Sequence, residues 1–361
     1  MAITAGMVKE LREMTGAGMM DCKKALTETN GDMDAAVDVL KKSGAAKMEK
    51  KQSRIAAEGI ARVAVNGNVA VVAEVNSETD FVAKNETFQE FVQTVADTAL
   101  ASDLNGGANG EDIEALLATN GLSDLLVEKT ATIGEKLSVR RFAKVTGDVV
   151  TSYIHGGGRI GVIIAANGAT DDAAKEAITN IAMQVAAMNP QYISRNDISD
   201  EELAKLREIT VDSALNDATT LPKPILNKLI DKAINEKLWS DDDINNFNEH
   251  KNNMNYVWNF LSDAAKAKLG ELAMADKESI VAEKMFNGLV EGRVSKQLKE
   301  ICLLDQTYVK AEDGKQSVAK YLESVSKDLT ITEMVRFEVG EGMEKKQEDF
   351  AAEVAAQMAG V

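Results

Sequence analysis

Residues 58–76 carry the sequence EGIARVAVNGNVAVVAEVN. Two runs rich in valine and other apolar residues, 58–65 and 69–76, flank the segment Asn66-Gly67-Asn68. An Asn-Gly pair between two such runs is a strong signal for a tight β-hairpin, because these residues adopt the positive φ angles that the turn needs. The stretch therefore predicts two antiparallel strands of a sheet.

Further strand patterns follow along the chain. Strands are predicted at Val139–Val145, Val149–Ile154, Ile160–Ala166 and Met334–Val339. The first two are expected to form a hairpin about Thr146-Gly147-Asp148. These runs lie far apart in the sequence, so the sheet region is interrupted by other segments.

Helical patterns lie between the strands. A helix is predicted from about Asn85, because four apolar residues recur there at helical spacing: Phe88, Phe91, Val92 and Val95. Two short helices are predicted within 111–134 and a longer one over 170–188. Strands interleaved with helices, with hairpins present, indicate an α+β core with antiparallel sheets.

The first 50 residues predict three short amphipathic helices. Thr4 is expected to cap the first and Asp32 the third, and Ser43-Gly44 is expected to end the third. The second helix, from about Met19 to Thr27, is expected to bury Met19, Cys22 and Leu26. The polar and basic segment 47–54 has the composition of a solvated linker.

The pattern changes near residue 196. From there to about 300 the sequence is polar and helical, and it contains both tryptophans, Trp239 and Trp258. Asp241-Asp242-Asp243 is expected to begin a helix, where carboxylates are favoured by the helix dipole. This segment is interpreted as a helical arm inserted into the core. A last helix is predicted over 344–358.

Composition excludes several classes of protein. The formal net charge is −17, and no basic stretch is long enough to bind nucleic acid. Two cysteines, Cys22 and Cys302, do not make a disulfide framework and fit a reducing compartment. No signal peptide and no membrane span is expected, so the predicted location is the cytoplasm.

Residues suited to covalent catalysis are few. The chain has two histidines, His155 and His250, and no spacing that favours a zinc site. The loop His155-Gly156-Gly157-Gly158-Arg159 is rich in glycine but lacks the Gly-Lys-Ser/Thr ending of a phosphate-binding loop. A turn between two strands explains its glycines, so we expect neither an enzyme nor a bound cofactor.

The segment EVNSETDFVAK, residues 74–84, lies where a strand gives way to a helix. A carboxylate and a large aromatic ring, Asp80 and Phe81, are adjacent at this corner. They could act on a partner, the ring as a wedge and the acid on a metal or phosphate network. The residues alone favour a local interpretation instead, in which Asp80 caps the helix and Phe81 packs as its hydrophobic staple.

Two long motifs resemble those of a known family. The run LREMTGAGMMDCKKAL, residues 11–26, is similar to the amino-terminal signature of elongation factor Ts proteins. Residues 74–84 are similar to that family's second signature, with Thr79-Asp80-Phe81-Val82 at its centre. Residues 153–161 and 336–342 also resemble family segments. The resemblance covers roughly 1–195 and 300–361, and the arm between them is longer than the hairpin expected of the family.

The resemblance implies an architecture. It implies a ubiquitin-associated-like three-helix domain with its linker, a core of two antiparallel α+β subdomains, a coiled-coil-like arm and a terminal helical module. The corresponding ranges are 1–54, 55–147, 148–195 with 301–342, 196–300 and 343–361.

The resemblance also implies a function, guanine nucleotide exchange on elongation factor Tu during protein biosynthesis. Thr79, Asp80, Phe81 and Val82 would act at the magnesium site of that GTPase. The three-helix domain would dock on its nucleotide-binding domain. Weaker expectations concern further contact residues: Leu11, Met19, Met20, His155 and Gly156. A homodimer through the arm is a further expectation.

Two other interpretations remain open on the sequence. The chain could be an interaction adaptor that holds a partner through its three-helix domain without releasing nucleotide. It could also be an enzyme that binds nucleotide at the glycines of 156–158. Accelerated GDP release would exclude the adaptor, and nucleotide retained on the purified chain would favour the enzyme.

Overall fold

A computed structural model describes residues 3–254 and 256–344 of the chain. The described chain forms two compact units, one containing residues 3–189 and 308–344 and the other Pro190–Thr307. The first unit holds the sheets and the second is helical. The fold is therefore α+β with antiparallel sheets, as predicted. The predicted terminal helix, 344–358, lies outside the described residues beyond Glu344.

Three helices open the first unit: α1 (Ala5–Thr15), α2 (Met19–Glu28) and α3 (Met33–Glu49). The predicted caps are confirmed, because the Thr4 hydroxyl accepts from the Met7 amide at 3.2 Å and the Asp32 carboxylate from the Ala35 amide at 3.0 Å. Both bonds satisfy amides that the first helical turn leaves free. The small core between the helices is apolar and includes Leu11, Cys22, Leu26 and Ala36.

Two details of this domain differ from the sequence prediction. Met19 is exposed rather than buried, because α2 turns Cys22 and Leu26 toward the core instead. Helix α3 continues past Gly44 to Glu49. Gly44 is buried where α3 packs on a later helix, and a β-carbon there would lie 3.1 Å from a Val127 methyl. The glycine therefore permits close helix packing and does not end α3.

The first sheet has the strand order β1-β2-β4-β3 and is antiparallel throughout. Its strands are β1 (Glu58–Asn66), β2 (Val69–Ser77), β3 (Gly106–Gly107) and β4 (Ser138–Thr146). The helices between them are α4 (Asp80–Ala83), α5 (Glu86–Ala101), α6 (Ile113–Leu117) and α7 (Leu122–Ile133). The predicted first hairpin is confirmed, with Val65 opposite Ala70 beside the turn.

The second sheet has the order β5-β6-β7 and is also antiparallel. It contains β5 (Val149–His155), β6 (Ile160–Asn167) and β7 (Thr330–Glu338), and α8 (Asp172–Met188) covers one face. Its other face packs on the first sheet, whose far face carries α5. Strand β2 is therefore covered on both faces, which explains its nearly continuous apolar sequence.

The predicted hairpin about Thr146-Gly147-Asp148 is wrong. Strand β4 pairs with β2 and β3, whereas β5 pairs with β6. The Gly147 amide bonds back to the Asn68 carbonyl at 3.2 Å, and the Asp148 amide donates forward to the Asn167 side chain at 3.1 Å. The segment therefore carries the chain from one sheet to the other, and its three-residue turn signal does not distinguish a hairpin from such a crossing.

The second unit is a helical domain with a core of its own. Its α-helices are α9 (Asp200–Asn216), α10 (Lys223–Asn235), α11 (Asp241–His250), α12 (Asp263–Ala275), α13 (Lys277–Val281) and α14 (Lys284–Ile301). We call this unit, Pro190–Thr307, the arm. After it the first unit resumes with α15 (Val318–Val325) and β7.

The arm differs from the coiled-coil-like hairpin expected from the sequence. Its apolar side chains converge on one cluster that draws on residues from α9 to α14, including Leu215, Leu226, Leu269 and Phe286. Trp239 is buried in this cluster and its indole nitrogen donates to the Ala265 carbonyl at 3.0 Å. Several short helices around a shared core make a globular bundle instead of a two-helix seam.

Candidate functional site

The candidate site is the corner where β2 leads into α4. Strand β2 ends at Ser77, and Thr79 is the extended residue before α4, with φ −128° and ψ 156°. Helix α4 has only four residues, and Asn85 then caps α5 by accepting from the Phe88 amide at 3.2 Å. Between the end of β2 at Ser77 and the start of α5 at Glu86, the chain forms the single helical turn of α4. The chain therefore changes direction sharply at residues 79–84.

The two apolar residues of the corner face opposite ways. Phe81 leaves 78% of its surface exposed, whereas its neighbour Val82 leaves 8%. Val82 packs in the core that includes α5 and the first sheet. The local interpretation of Phe81 as a hydrophobic staple is therefore wrong, since an exposed ring packs against no core. Val82, also expected as a contact residue, anchors the corner to its own domain through its buried side chain.

Asp80 is the first residue of α4 and not its cap. Its carboxylate accepts a hydrogen bond from the Lys84 ammonium at 2.7 Å, one helical turn later. This bond lowers the pKa of Asp80 below its usual value. The same ammonium lies 5.9 Å from the centre of the Phe81 ring. An acid, a base and an aromatic ring thus share one exposed turn.

A residue far away in sequence holds this corner in place. One carboxylate oxygen of Glu135 accepts from the amides of Glu78 and Thr79, each at 3.0 Å. The other oxygen accepts from the Thr79 hydroxyl at 2.7 Å. The sequence reasoning did not find Glu135, and no local signal marks it, because its partners lie more than 50 positions earlier.

The turn between β5 and β6 lies beside the corner. A cleft of about 400 Å³ is lined from one side by Asp80 and Lys84, and from the other by Gly156, Gly157 and Arg159. The glycine-rich loop is a hairpin turn, as expected, since His155 pairs with Ile160. The structure therefore brings two of the residues singled out in the sequence, Asp80 and Gly156, to one cleft.

His155 is exposed at the end of β5, and its Nδ1 lies 3.1 Å from the Tyr153 hydroxyl oxygen. The hydroxyl and the ring can form a hydrogen bond whose direction depends on the tautomer of the histidine. Within residues 3–254 and 256–344, no three His, Cys, Asp or Glu side chains are grouped as a metal site would require.

The candidate residues of the three-helix domain divide into two kinds. Leu11 is completely buried in the core of the domain, so its side chain packs internally and is not available for contact. Met19 and Met20 are 60% and 75% exposed at the start of α2. None of the described residues that line the corner cleft comes from this domain. The two methionines therefore form a separate exposed surface.

A family model described as "Elongation factor TS" matches residues 78–341, a span that begins at the corner and includes Glu135. The chain is also 42% identical over 367 aligned residues to "Elongation factor Ts" of Clostridioides difficile (strain 630), covering 99% of each chain. The chain belongs to the elongation factor Ts family. Family membership makes it an elongation factor of protein biosynthesis with a role in nucleotide exchange.

The relationship to the elongation factor Ts of C. difficile also corrects one expectation. The sequence motifs resembled the family only over roughly 1–195 and 300–361, and the arm between these ranges could not be matched to any family segment. Both comparisons extend through the arm: the family model matches residues 78–341, and the alignment with this relative covers 99% of each chain. The arm is therefore shared with this relative.

No helix in the described ranges is long and apolar enough to cross a bilayer.

Proposed function

We propose that this protein binds the GDP-bound form of elongation factor Tu and accelerates GDP release by disturbing its Mg²⁺ and phosphate site, so that GTP can enter. The observation that carries the proposal is the exposed Phe81 ring on a corner whose neighbouring residue, Val82, is buried. A ring held outward on an anchored turn can insert into a partner without first reorganising its own domain. No covalent step is involved, so the protein is not an enzyme in the usual sense.

The free energy needed to accelerate GDP release is similar in size to the free energy gained by burying an aromatic ring. A nucleotide complex with nanomolar affinity is held by about 12 kcal/mol. With an association rate of about 10⁷ M⁻¹s⁻¹, GDP would leave at about 10⁻² s⁻¹. A thousandfold faster release needs about 4 kcal/mol less barrier. Burying a phenylalanine side chain gives about 2 kcal/mol, so Phe81 supplies roughly half and contacts around it supply the rest.

The residues beside Phe81 have distinct roles in the proposal. Asp80 brings a negative charge toward the cation pocket, and its ion pair with Lys84 orients that carboxylate on the exposed turn. Thr79 and Val82 hold the turn and do not insert, because one is bonded to Glu135 and the other is buried. Gly156, across the cleft, and the exposed His155 that precedes it are secondary contact residues.

The remaining modules act as contact and assembly surfaces. The three-helix domain, with its linker over 1–54, docks on the nucleotide-binding domain of elongation factor Tu through Met19 and Met20. Leu11 supports that surface from inside. The two core subdomains, 55–147 and 148–195 with 301–342, carry the corner and the facing turn. The arm can form a homodimer contact. No nucleic acid, membrane or cofactor takes part, and the cytoplasm is the site of action.

Coupling between the two ligands is reciprocal. If this protein weakens the binding of nucleotide to elongation factor Tu, nucleotide must weaken the binding of this protein by the same factor. Exchange is therefore reversible, and an excess of GTP over GDP determines its direction. Tight binding to nucleotide-free elongation factor Tu and weaker binding to the GDP complex follow from the proposal.

The test is stopped-flow release of fluorescent GDP from elongation factor Tu with wild type and Phe81→Ala. We expect the variant to lower the maximal release rate about thirtyfold, the equivalent of about 2 kcal/mol of ring burial. Complex formation with nucleotide-free elongation factor Tu should weaken less than the rate. An equal loss of both, or no loss of either, contradicts the wedge.

Tyr256→Ala is the matched control, because it removes an aromatic ring that is 62% exposed on the arm. It should leave GDP release unchanged, and both variants should melt like wild type because neither ring is buried. If wild type binds elongation factor Tu without accelerating release, the protein is an adaptor and the proposed function is wrong.

A further inference from the structure

Glu135 occupies its place because of how α7 ends. The helix stops at Ile133, and Gly134 follows in the left-handed conformation with φ 88°, its amide bonded to the Thr130 carbonyl at 3.1 Å. This conformation suits glycine because it has no β-carbon. The chain then turns, and the next side chain, Glu135, reaches the corner after β2.

The corner needs such an acceptor because the sheet has ended there. The last paired residues of β2 are Ser77, opposite Glu58 in β1, and Asn76, opposite Ser138 in β4. The next two amides, those of Glu78 and Thr79, have no strand to pair with, and both donate to the Glu135 carboxylate. Hydrogen bonds to a charged acceptor are stronger than neutral ones. One side chain thus replaces a missing strand.

The Glu78 carboxylate in turn bonds to the loop that carries Glu135. Glu78 accepts from the Lys136 amide at 2.6 Å, and its side chain also accepts from the Arg54 guanidinium at 3.1 Å. The Lys136 ammonium in turn donates to the carbonyls of Gln52 and Arg54, at 2.6 and 2.8 Å. The corner, the loop after α7 and the linker from the three-helix domain are therefore tied together. We call this group of contacts, made by Glu78, Glu135 and Lys136, the clasp.

We infer that Glu135 is a positioning residue for nucleotide exchange, acting through Thr79 to hold the exposed ring of Phe81 in its active direction. This inference rests on the proposed function. Thr79 is the last extended residue before α4, so its backbone sets the direction in which the single turn of α4 leaves the sheet. Val82 anchors the inner side of that turn and Glu135 its start. Without Glu135 the start of the turn keeps only the bond from the Ser77 hydroxyl to the Thr79 carbonyl at 3.0 Å, and its two amides lose their acceptor, so the turn must be ordered more fully during binding.

Loss of Glu135 should therefore lower the rate of exchange more than the affinity of first contact. We expect Glu135→Ala to reduce the maximal rate of GDP release about tenfold, with a smaller change in the concentration that gives half the maximal rate. Glu135→Gln keeps an oxygen for the two amides and should recover most of the rate. Thr79→Val removes only the hydroxyl contact and should reduce the rate about threefold.

Hydrogen exchange gives a readout that is independent of elongation factor Tu. In the free protein, the peptide containing the Glu78 and Thr79 amides should exchange faster in Glu135→Ala than in wild type, and Glu135→Gln should fall between them. Glu114→Ala is the matched control, because it removes an exposed glutamate from α6. It should change neither the exchange of these amides nor the release of GDP.

The outcomes separate the two proposals. If wild type fails to accelerate GDP release, the proposed function is wrong, and the inference falls with it even if the clasp protects its amides. If wild type accelerates release and Glu135→Ala matches it, the function stands and the positioning role is overturned. A uniform loss of stability in Glu135→Ala, with no recovery in Glu135→Gln and no selective change in the 78–79 amides, also overturns it.

Discussion

Asp243 is a carboxylate buried in the arm, and it joins the starts of two helices. Ser240, which caps α11, donates its hydroxyl to Asp243 at 2.6 Å. Ser262, which caps α12, donates its amide and its hydroxyl at 2.8 and 2.9 Å. Burial by itself would raise the pKa of Asp243, but the bonds from the two serines outweigh it and hold the pKa below its usual value.

This lowered pKa predicts a pH-dependent stability. A carboxyl group with a lowered native pKa stabilises the fold above its ordinary pKa, and the contribution is lost as the pH falls through the native value. Asp243→Asn should therefore cost about 1–2 kcal/mol in unfolding free energy at pH 7. The difference from wild type should shrink below about pH 4, the range of an ordinary aspartate. Urea denaturation at pH 7, 5 and 3 measures it.

Asp242→Asn provides the control, because Asp242 is exposed in the same first turn of α11. It should change the unfolding free energy by less than about 0.5 kcal/mol at every pH. A deficit in Asp243→Asn that stays constant from pH 7 to pH 3 would show that the ionised carboxylate is not what stabilises the arm.

Single residues also show the limit of what the sequence can predict about the site. The change from a strand to a helix pattern located the corner within residues 74–84, and the resemblance to the family then singled out residues 79–82. The sequence could not tell that Phe81 is exposed and Val82 buried, since α4 is a single turn and too short for helical periodicity to show. The role of Glu135 could not be predicted either, because it depends on contacts with residues that lie far away in the sequence.

At the scale of elements, a buried ionic cluster connects the first sheet to the segment after β7. Glu74 in β2 is completely buried, and its carboxylate contacts the guanidinium groups of Arg140 and Arg141 in β4 at 2.9 and 2.6 Å. The same carboxylate accepts from the Gly340 amide at 2.9 Å. Arg141 also lies over the ring of Phe337 in β7, 4.2 Å from its centre. One carboxylate therefore joins three elements.

Removing this carboxylate should be costly. Glu74→Ala leaves the nearly buried Arg141 with the Phe337 ring and its contacts to the 338–341 segment but without its buried carboxylate partner, so we expect the unfolding free energy to fall by about 3 kcal/mol. Glu341→Ala removes a partly exposed partner of the same guanidinium and should cost about 1 kcal/mol or less. Thermal unfolding of the three proteins compares them. Equal losses in both variants would mean that the buried position of Glu74 has no special importance.

Element patterns predicted most strands and helices but not how the strands combine. The hairpin of β1 and β2 was found because its Asn-Gly turn determines which strands pair. The connection of β4 to β5 contains a similar turn signal, yet the chain crosses there to the second sheet. The deciding contacts of Gly147 and Asp148 are with residues 68 and 167, which local sequence does not reveal.

At the scale of the whole molecule, the arm has the features of an independent folding unit. It has a continuous apolar core, and its two ends are joined to each other. The amides of Gln191 and Tyr192 both donate to the Ile301 carbonyl, at 2.8 and 3.1 Å, and Tyr192 forms a parallel bridge with Cys302. The unit therefore begins and ends slightly outside the 196–300 range predicted from the sequence.

These closing contacts predict different behaviour for two fragments. Residues 190–307 expressed alone should be helical and unfold in one cooperative transition, with an unfolding free energy of about 5 kcal/mol or more. The shorter fragment 196–300 lacks the paired ends and the completely buried Cys302, so it should be less stable by about 2 kcal/mol or more. Urea denaturation followed by the fluorescence of buried Trp239 measures both. Equal stability of the two fragments would mean that the ends contribute nothing to closing the arm, and its folding boundary would then lie at the range that the sequence predicted.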